Sequence, residues 1–263
     1  VRLTAGRHHH SGRIVVTAAI VLRRSVFREA ARLCHLFTHD YGKLRVRFAS
    51  VNRPLGKLKA LSEPMVRGEY RLHLREGAEN ALCIGGALAS VHPGLRTGVE
   101  GLLRGLELCE MLDRLTPLRQ PSEEKFSLIV DALEALERAR GAPAGSWVSI
   151  AFGLRLLEAA GFGAFSLHVS QENRGLWKKL HAASWEEVAA LGEDEDRRSR
   201  LEGYLQRSVE RAIEAPLRAP RLRSMLARTS LLPAGGDSRK EGSPNGTAKI
   251  PYDERPPAGW TLT

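Results

Sequence analysis

The apolar residues of this chain change period once, at His92-Pro93-Gly94, and that switch limits the fold more than any motif does. Up to Val91 they come in short runs bounded by turn residues, the habit of strands; beyond it they recur at helical spacing. A chain that changes period in this way predicts an α+β protein, a small sheet followed by an all-helical part. Five strand candidates fill the first part: Ile14–Leu22, Arg32–Thr38, Lys43–Phe48, Met65–Leu74 and Ala81–Val91. With one long basic loop over Asn52–Leu61, they predict a five-stranded antiparallel barrel over residues 13–91. Residues 1–12 read as a flexible leader.

Residues 92–228 read as a helical domain. Val99, Leu102, Leu103, Leu106, Cys109 and Leu112 form one apolar stripe, ended at Thr116-Pro117. Ser122 is placed to cap a second helix whose first turn carries Glu123 and Glu124, which favour the positive end of the helix dipole. A third helix covers Trp147 to Ala160 and stops at Gly161. Ser184 and Glu187 have capping-box spacing for a short helix, and Arg197–Ile213 and Pro216–Arg228 supply two more. From residue 229 to 263 the composition turns to Gly, Pro, Ser and charge, which predicts a disordered tail.

Charge is divided as unevenly as period. Residues 1–80 carry 16 Lys and Arg against 6 Asp and Glu, a net +10, whereas residues 81–263 carry 24 of each. The basic excess therefore belongs to the barrel, and it points to a polyanionic partner. Six basic residues, Lys43, Arg45, Arg47, Arg53, Lys57 and Lys59, fall within 17 positions with no acidic residue among them. Alternation over Lys43–Phe48 predicts Leu44, Val46 and Phe48 facing the core and Lys43, Arg45 and Arg47 on the wet face. These six are the candidate nucleic-acid-binding residues, with Tyr41, Phe48 and Tyr70 as candidates for base stacking, although Phe48 is expected in the core.

Catalysis finds little support. The chain has no phosphate-cradling loop, no nucleophile elbow and no His-Glu-x-x-His, so no catalytic residues are expected. No Cys-x-x-Cys pair occurs, and Cys34, Cys83 and Cys109 are widely spaced in apolar runs, which predicts buried reduced thiols, no metal site and no cofactor. The acidic run Glu193–Asp196 reads as a solvated loop before a helix. Gly161-Phe162-Gly163 reads as a helix stop. The longest apolar run, Ile14–Leu22, is broken by Thr17 and falls far below the roughly 18 residues a membrane span needs. The absence of a signal-peptide core predicts a cytoplasmic protein.

Leu36-Phe37-Thr38-His39-Asp40-Tyr41-Gly42-Lys43-Leu44, then Asn52-Arg53-Pro54 with Lys57-Leu58 and Ala60-Leu61-Ser62-Glu63-Pro64, form a first group of segments. Glu110–Thr116 with Gln120-Pro121, Phe152–Glu158 with Gly161-Phe162, and Pro216–Arg221 follow. In content and order these segments resemble the bacterial RecO family of DNA repair proteins. The resemblance implies an N-terminal OB-fold and a C-terminal helical domain. It also implies a non-enzymatic recombination mediator, nucleoid-associated and monomeric by itself. Such a protein binds single- and double-stranded DNA, anneals complementary strands, and with RecR helps load RecA onto strands coated by single-strand binding protein. An OB-fold RNA-binding or ribosome-associated module would use the same basic strand and loop.

Three departures from the family pattern stand out. Phe165 to Trp177 contains no cysteine, so the resemblance implies a zinc-less form in which residues 164–196 replace the family's zinc module. Where the family carries basic residues near the docking place of the acidic tail of single-strand binding protein, this chain has Ile150-Ala151, and Gly153 replaces a Glu. Arg155 is then the candidate partner-binding residue. Phe27-Arg28-Glu29 replaces a Gly-Glu pair near the first hairpin. Each phosphate neutralised by a basic side chain contributes about 0.7–0.9 to the salt slope of binding. Replacing Arg53 and Lys57 together by Ala is expected to weaken DNA binding several-fold and to flatten its salt dependence; a salt titration with unchanged affinity and slope would remove the loop from the interface.

Overall fold

The computed structural model describes residues 12–28, 31–49, 51, 58–75, 77–139, 142–162, 171–192 and 194–230. The expected leader (apart from Gly12) and the expected tail beyond Ser230 lie outside them. Five strands, β1 (Gly12–Arg28), β2 (Ala31–Thr38), β3 (Gly42–Phe48), β4 (Arg67–Arg75) and β5 (Ala81–Ser90), form a closed barrel in the order β1-β2-β3-β5-β4. All neighbours are antiparallel except β3 and β5, which run parallel over Val46–Phe48 and Ala81–Cys83. Strand β1 makes closure possible. Its first half, Gly12–Ile20, pairs with β4, and from Ala19 onward it pairs with β2, with a register shift between Val21 and Arg23. Such a shift bends a strand and increases its twist, which a small barrel needs to close.

Eight helices follow among the described residues: α1 (Pro93–Arg96), α2 (Val99–Leu115), α3 (Glu123–Arg138), α4 (Ala142–Ala159), α5 (Gln171–Ala182), α6 (Trp185–Ala189), α7 (Glu195–Ala212) and α8 (Arg218–Ser230). Their ends follow local chemistry. Ser122 accepts from the Lys125 amide at the start of α3. Ser184 and Glu187 form the full capping box of α6, at 2.8 and 3.2 Å. Gly161, at φ +84°, closes α4 as Phe162 N donates to Leu157 O. Helix α5 was not legible beforehand. Its stretch is mostly polar, and only Trp177 and Leu180 among its described side chains are fully buried.

The barrel interior holds Val21, Leu36, Val46, Phe48, Tyr70 and Leu72. Outward neighbours on the same strands, Ile20 and Leu22 of β1 and Phe37 of β2, join a second core with Met65 and the helices. This explains why the end of Ile14–Leu22 reads as unbroken apolar sequence: both faces of β1 are covered there, whereas Ile14 and Val16 on its free outer face are more than half exposed. Helix α4 lies at the centre of the helical layers, with Val148, Ile150, Ala151, Phe152 and Leu156 wholly buried. Gly153, where the resembled pattern has Glu, lets α7 approach: a Cβ there would lie 2.6 Å from a Leu205 methyl.

A buried carboxylate fastens the two parts. Asp113 on α2 accepts from His35 Nδ1 of β2 at 2.6 Å, lies 3.1 Å from Arg23 Nε of β1, and sits 3.3 Å from Lys43 Nζ of β3. Lys43 Nζ also donates to the Asp113 backbone carbonyl. Beside this cluster the α2–α3 connection runs along the end of β3, where Arg119 N donates to Lys43 O at 2.8 Å. Gly42, at φ +65°, is required there, because a Cβ would fall 2.1 Å from Gln120 O. Burial pushes the Asp113 carboxyl up, but the His35 hydrogen bond and the Lys43 and Arg23 charges outweigh it and hold it below its ordinary range.

Replacing Asp113 by Ala strands two buried donors, His35 and Lys43, and releases the exposed Arg23; it is expected to cost about 3 kcal/mol in denaturant unfolding. A group whose folded pKa is depressed stabilises fully above its unfolded value, 3.8 for this aspartate, and loses that contribution as pH falls through the lower folded value. D113N is therefore expected to flatten the acid limb of the stability curve; an acid limb equal to that of the parent would show that Asp113 carries no such contribution.

Candidate nucleic-acid interface

The six basic residues do not share one surface. Lys43 is not on the wet face. It is buried against α2, and the physical reason is Asp113, which holds its ammonium, while burial pulls the Lys43 pKa below the usual lysine range. Arg45 is half-buried and ion-paired to Glu79 of the β4–β5 connection. Arg47 is half-buried and Lys59 exposed, and neither forms an ion pair among the described residues. Arg53 and Lys57 lie outside the described residues. The stacking candidates divide similarly. Phe48 and Tyr70 are fully buried in the barrel, edge to face at 6.3 Å, and the Tyr70 hydroxyl donates to Leu61 O at 3.0 Å. Only Tyr41 remains partly accessible.

Much of the barrel's positive charge is engaged internally. Arg24 and Arg32 both pair with Glu63, Arg67 pairs with Glu134 of α3, and Arg23 and Lys43 face Asp113. Arg13, Arg47, Lys59, Arg71 and Arg75 remain without an acidic partner among the described residues. Two of these, Arg13 and Arg75, converge at one end of the barrel. They line a cleft of about 240 Å³ with Arg45 and with Arg119 of the α2–α3 connection. The cleft's carboxylates are occupied: Glu79 by Arg45, and Asp40 by Thr17 Oγ1 at 2.6 Å and His39 at 2.9 Å. Those hydrogen bonds hold Asp40 below the usual carboxylate range.

Arg13, Arg75 and Arg119 were not identified from sequence. They stand in three separate stretches and are brought together by register, which sets Gly12 opposite Arg75 and Arg13 opposite Leu74, and by the pairing of Arg119 N with Lys43 O. No local spacing carries that information.

Comparison with known proteins agrees with this two-part architecture. A model of the N-terminal part of recombination protein O matches residues 13–81, and a model of its C-terminal part matches residues 100–165. The chain belongs to the RecO family. It is 31% identical over 127 residues to the DNA repair protein RecO of Geobacter metallireducens, covering 48% of this chain and 51% of that protein. Similarity to RecO of Desulforudis audaxviator is 31% over 148 residues, 56% of this chain and 57% of the relative. Salinibacter ruber RecO is 30% identical over 135 residues, 51% and 52% of the two chains. The chain thus spans about half the length of the curated relatives it matches. The matched RecO parts cover the barrel up to the start of β5 and the helices α2 to α4; α5 to α8 lie beyond them.

Arg155, the candidate partner-binding residue, does not present a free cation. Its guanidinium donates to Leu180 O at 3.1 and 2.8 Å and to Ala183 O at 2.5 Å, and lies 4.3 Å from the Trp185 ring centroid. It therefore neutralises the C-terminal end of α5, where unpaired carbonyls concentrate negative potential, and holds α5 and α6 on α4. Ile150 and Ala151 are wholly buried, so that part of α4 offers no surface. Residues 171–192 of the segment expected to replace the zinc module form α5 and α6, packed through Trp177, Leu180 and Val188; residues 163–170 and Glu193 lie outside the described residues. Among the described residues no cluster of metal-ligating side chains occurs, and no helix is long and apolar enough to cross a membrane. The three cysteines are free and buried, and burial pushes the Cys34 and Cys109 thiols up to about 12 and Cys83 up to about 11.

The unequal placement of the basic residues makes two variants behave differently. R75A is expected to reduce the slope of log affinity against log salt for single-stranded DNA by about 0.7, the loss of one phosphate contact, without changing thermal stability. K43A is expected to lower the unfolding midpoint and leave the slope intact. Equal slopes for R75A and the parent in a salt titration would exclude the cleft from the interface.

Proposed function

We propose that this chain is a non-enzymatic mediator of recombinational DNA repair that binds single- and double-stranded DNA and anneals complementary strands. The observation that carries this reading is the convergence of Arg13, Arg45, Arg75 and Arg119 at one barrel end in a chain of the RecO family. Annealing brings two polyanions together against their own repulsion, and a basic surface that offsets phosphate charge on both lowers that barrier without a cofactor. Arg47 and Lys59 add basic charge without an acidic partner among the described residues. The relatives are named DNA repair proteins, which supports a repair role for this chain. RecR and single-strand binding protein are the protein partners this reading calls for, and loading of RecA onto coated strands is the step it serves.

The test is annealing of complementary oligonucleotides, bare and precoated with single-strand binding protein, with and without RecR and without any nucleotide. Acceleration on bare strands that falls as salt rises supports the electrostatic mechanism, and acceleration on coated strands supports the mediator role. Annealing no faster than the spontaneous rate on either substrate would overturn the proposal.

A further inference from the structure

The cleft at the barrel end contains more than arginine. Tyr41 lines it, half-buried, with the Arg13 guanidinium carbon 5.3 Å from its ring centroid. Leu44, Leu74, Leu118 and Pro121 give it apolar walls. Asn80 also lines it and keeps its side-chain carbonyl oxygen out of solvent with no hydrogen-bond donor among the described residues. A buried acceptor without a donor costs stability, and a ligand that brings an N–H removes that cost.

These features fit one kind of ligand. Planar rings stack on tyrosine faces and on guanidinium planes, and the Tyr41–Arg13 pair offers both. Phosphates are held by arginine forks, which Arg75 and Arg119 supply at the rim. Every nucleobase carries an N–H or amino group able to donate to Asn80. A cleft of this size, about 240 Å³, suits a single base with its sugar and phosphate outside rather than a stacked run, and a base still paired and stacked in a duplex does not reach it.

We infer that the cleft is a pocket for a single unstacked nucleotide, seated by stacking on Tyr41 and Arg13, by a base N–H donated to Asn80, and by phosphate contacts to Arg75 and Arg119. The inference rests on the DNA-binding reading above and adds to it. The strand is held at one position through its base, while the rest of the surface grips the backbone alone. A protein that anneals strands gains from this arrangement, because one anchored base fixes the strand while its neighbours stay free to pair.

Fluorescence anisotropy at fixed salt separates the two readings. The full chain is titrated with a single-stranded oligonucleotide and with an abasic strand of equal length and charge. The base-bearing strand is expected to bind about tenfold more tightly, the scale of one base stacked on an aromatic ring. Y41A and N80A are expected to weaken binding of the base-bearing strand and leave the abasic strand unchanged, whereas K59A weakens both alike. Y41F, which keeps the ring, is expected to restore the difference. Equal binding of the two strands by the parent chain would overturn the pocket while leaving the DNA-binding reading intact, and binding of neither strand would overturn that reading itself. The comparison on the parent chain needs no variant, so it stands even where Y41A fails to fold.

Discussion

The buried carboxylate of Asp113 is the constraint on which the rest of the molecule depends. A single oxygen pair on α2 faces His35, Arg23 and Lys43, one from each of three adjacent strands, and so sets where the helical layers sit on the barrel wall. An isolated charge at that depth would be prohibitively costly, and surrounding it with three donors offsets the cost only in one docking geometry. Ile20, Leu22, Phe37 and Met65 supply the apolar contact area around it, but dispersion and burial tolerate sliding more readily than a buried ion cluster does. The α2–α3 connection then rests against β3 at Gly42, where the absence of a Cβ permits backbone contact.

The same interaction determines which charges remain for a partner. Lys43 and Arg23 are committed to Asp113, Arg24 and Arg32 to Glu63, and Arg67 to Glu134, so these parts of the basic barrel surface are structural. Of what is left, Arg13 and Arg75 gather at the end of the barrel where β1 begins and β4 ends. Docking of α2 also carries Arg119 to that end, which makes the cleft a joint product of the barrel and the helical part rather than a property of either.

Beyond the RecO-matched helices, α7 and α8 return to α2 through a second ionic cluster. Arg223 bridges Glu107 and Glu202, Arg104 also pairs with Glu202, and the carboxylate of Glu110 accepts from the Arg218 and Ala219 amides at the N-terminus of α8. Burial raises the Glu107 carboxyl, and the adjacent Arg223 opposes the shift. One face of α2 thus holds the barrel and another holds the last helix. This explains why so many of its polar residues, Arg104, Glu107 and Asp113 among them, are buried in a helix whose apolar stripe alone was legible.

Local chemistry is legible in the sequence alone. The five strands, the caps at Ser122 and Ser184, the stop at Gly161 and the change of period at His92 all depend on neighbours a few residues away, and such signals survive in one dimension. Alternation over Lys43–Phe48 gives the inward direction of Leu44, Val46 and Phe48 but not the burial of Lys43, because a strand's pleat says which residues point outward, not what covers them. Tyr70 is buried rather than free to stack for a related reason: its inward direction follows from register with β1 and β5. By itself the sequence determined an α+β chain with its basic charge concentrated in a barrel. Only the tertiary structure decided which of those charges are spent on Asp113 and Glu63 and which converge around Tyr41 and Asn80. Ion pairing and cleft formation depend on distances between residues remote in the chain, and strand register and helix docking alone set those distances.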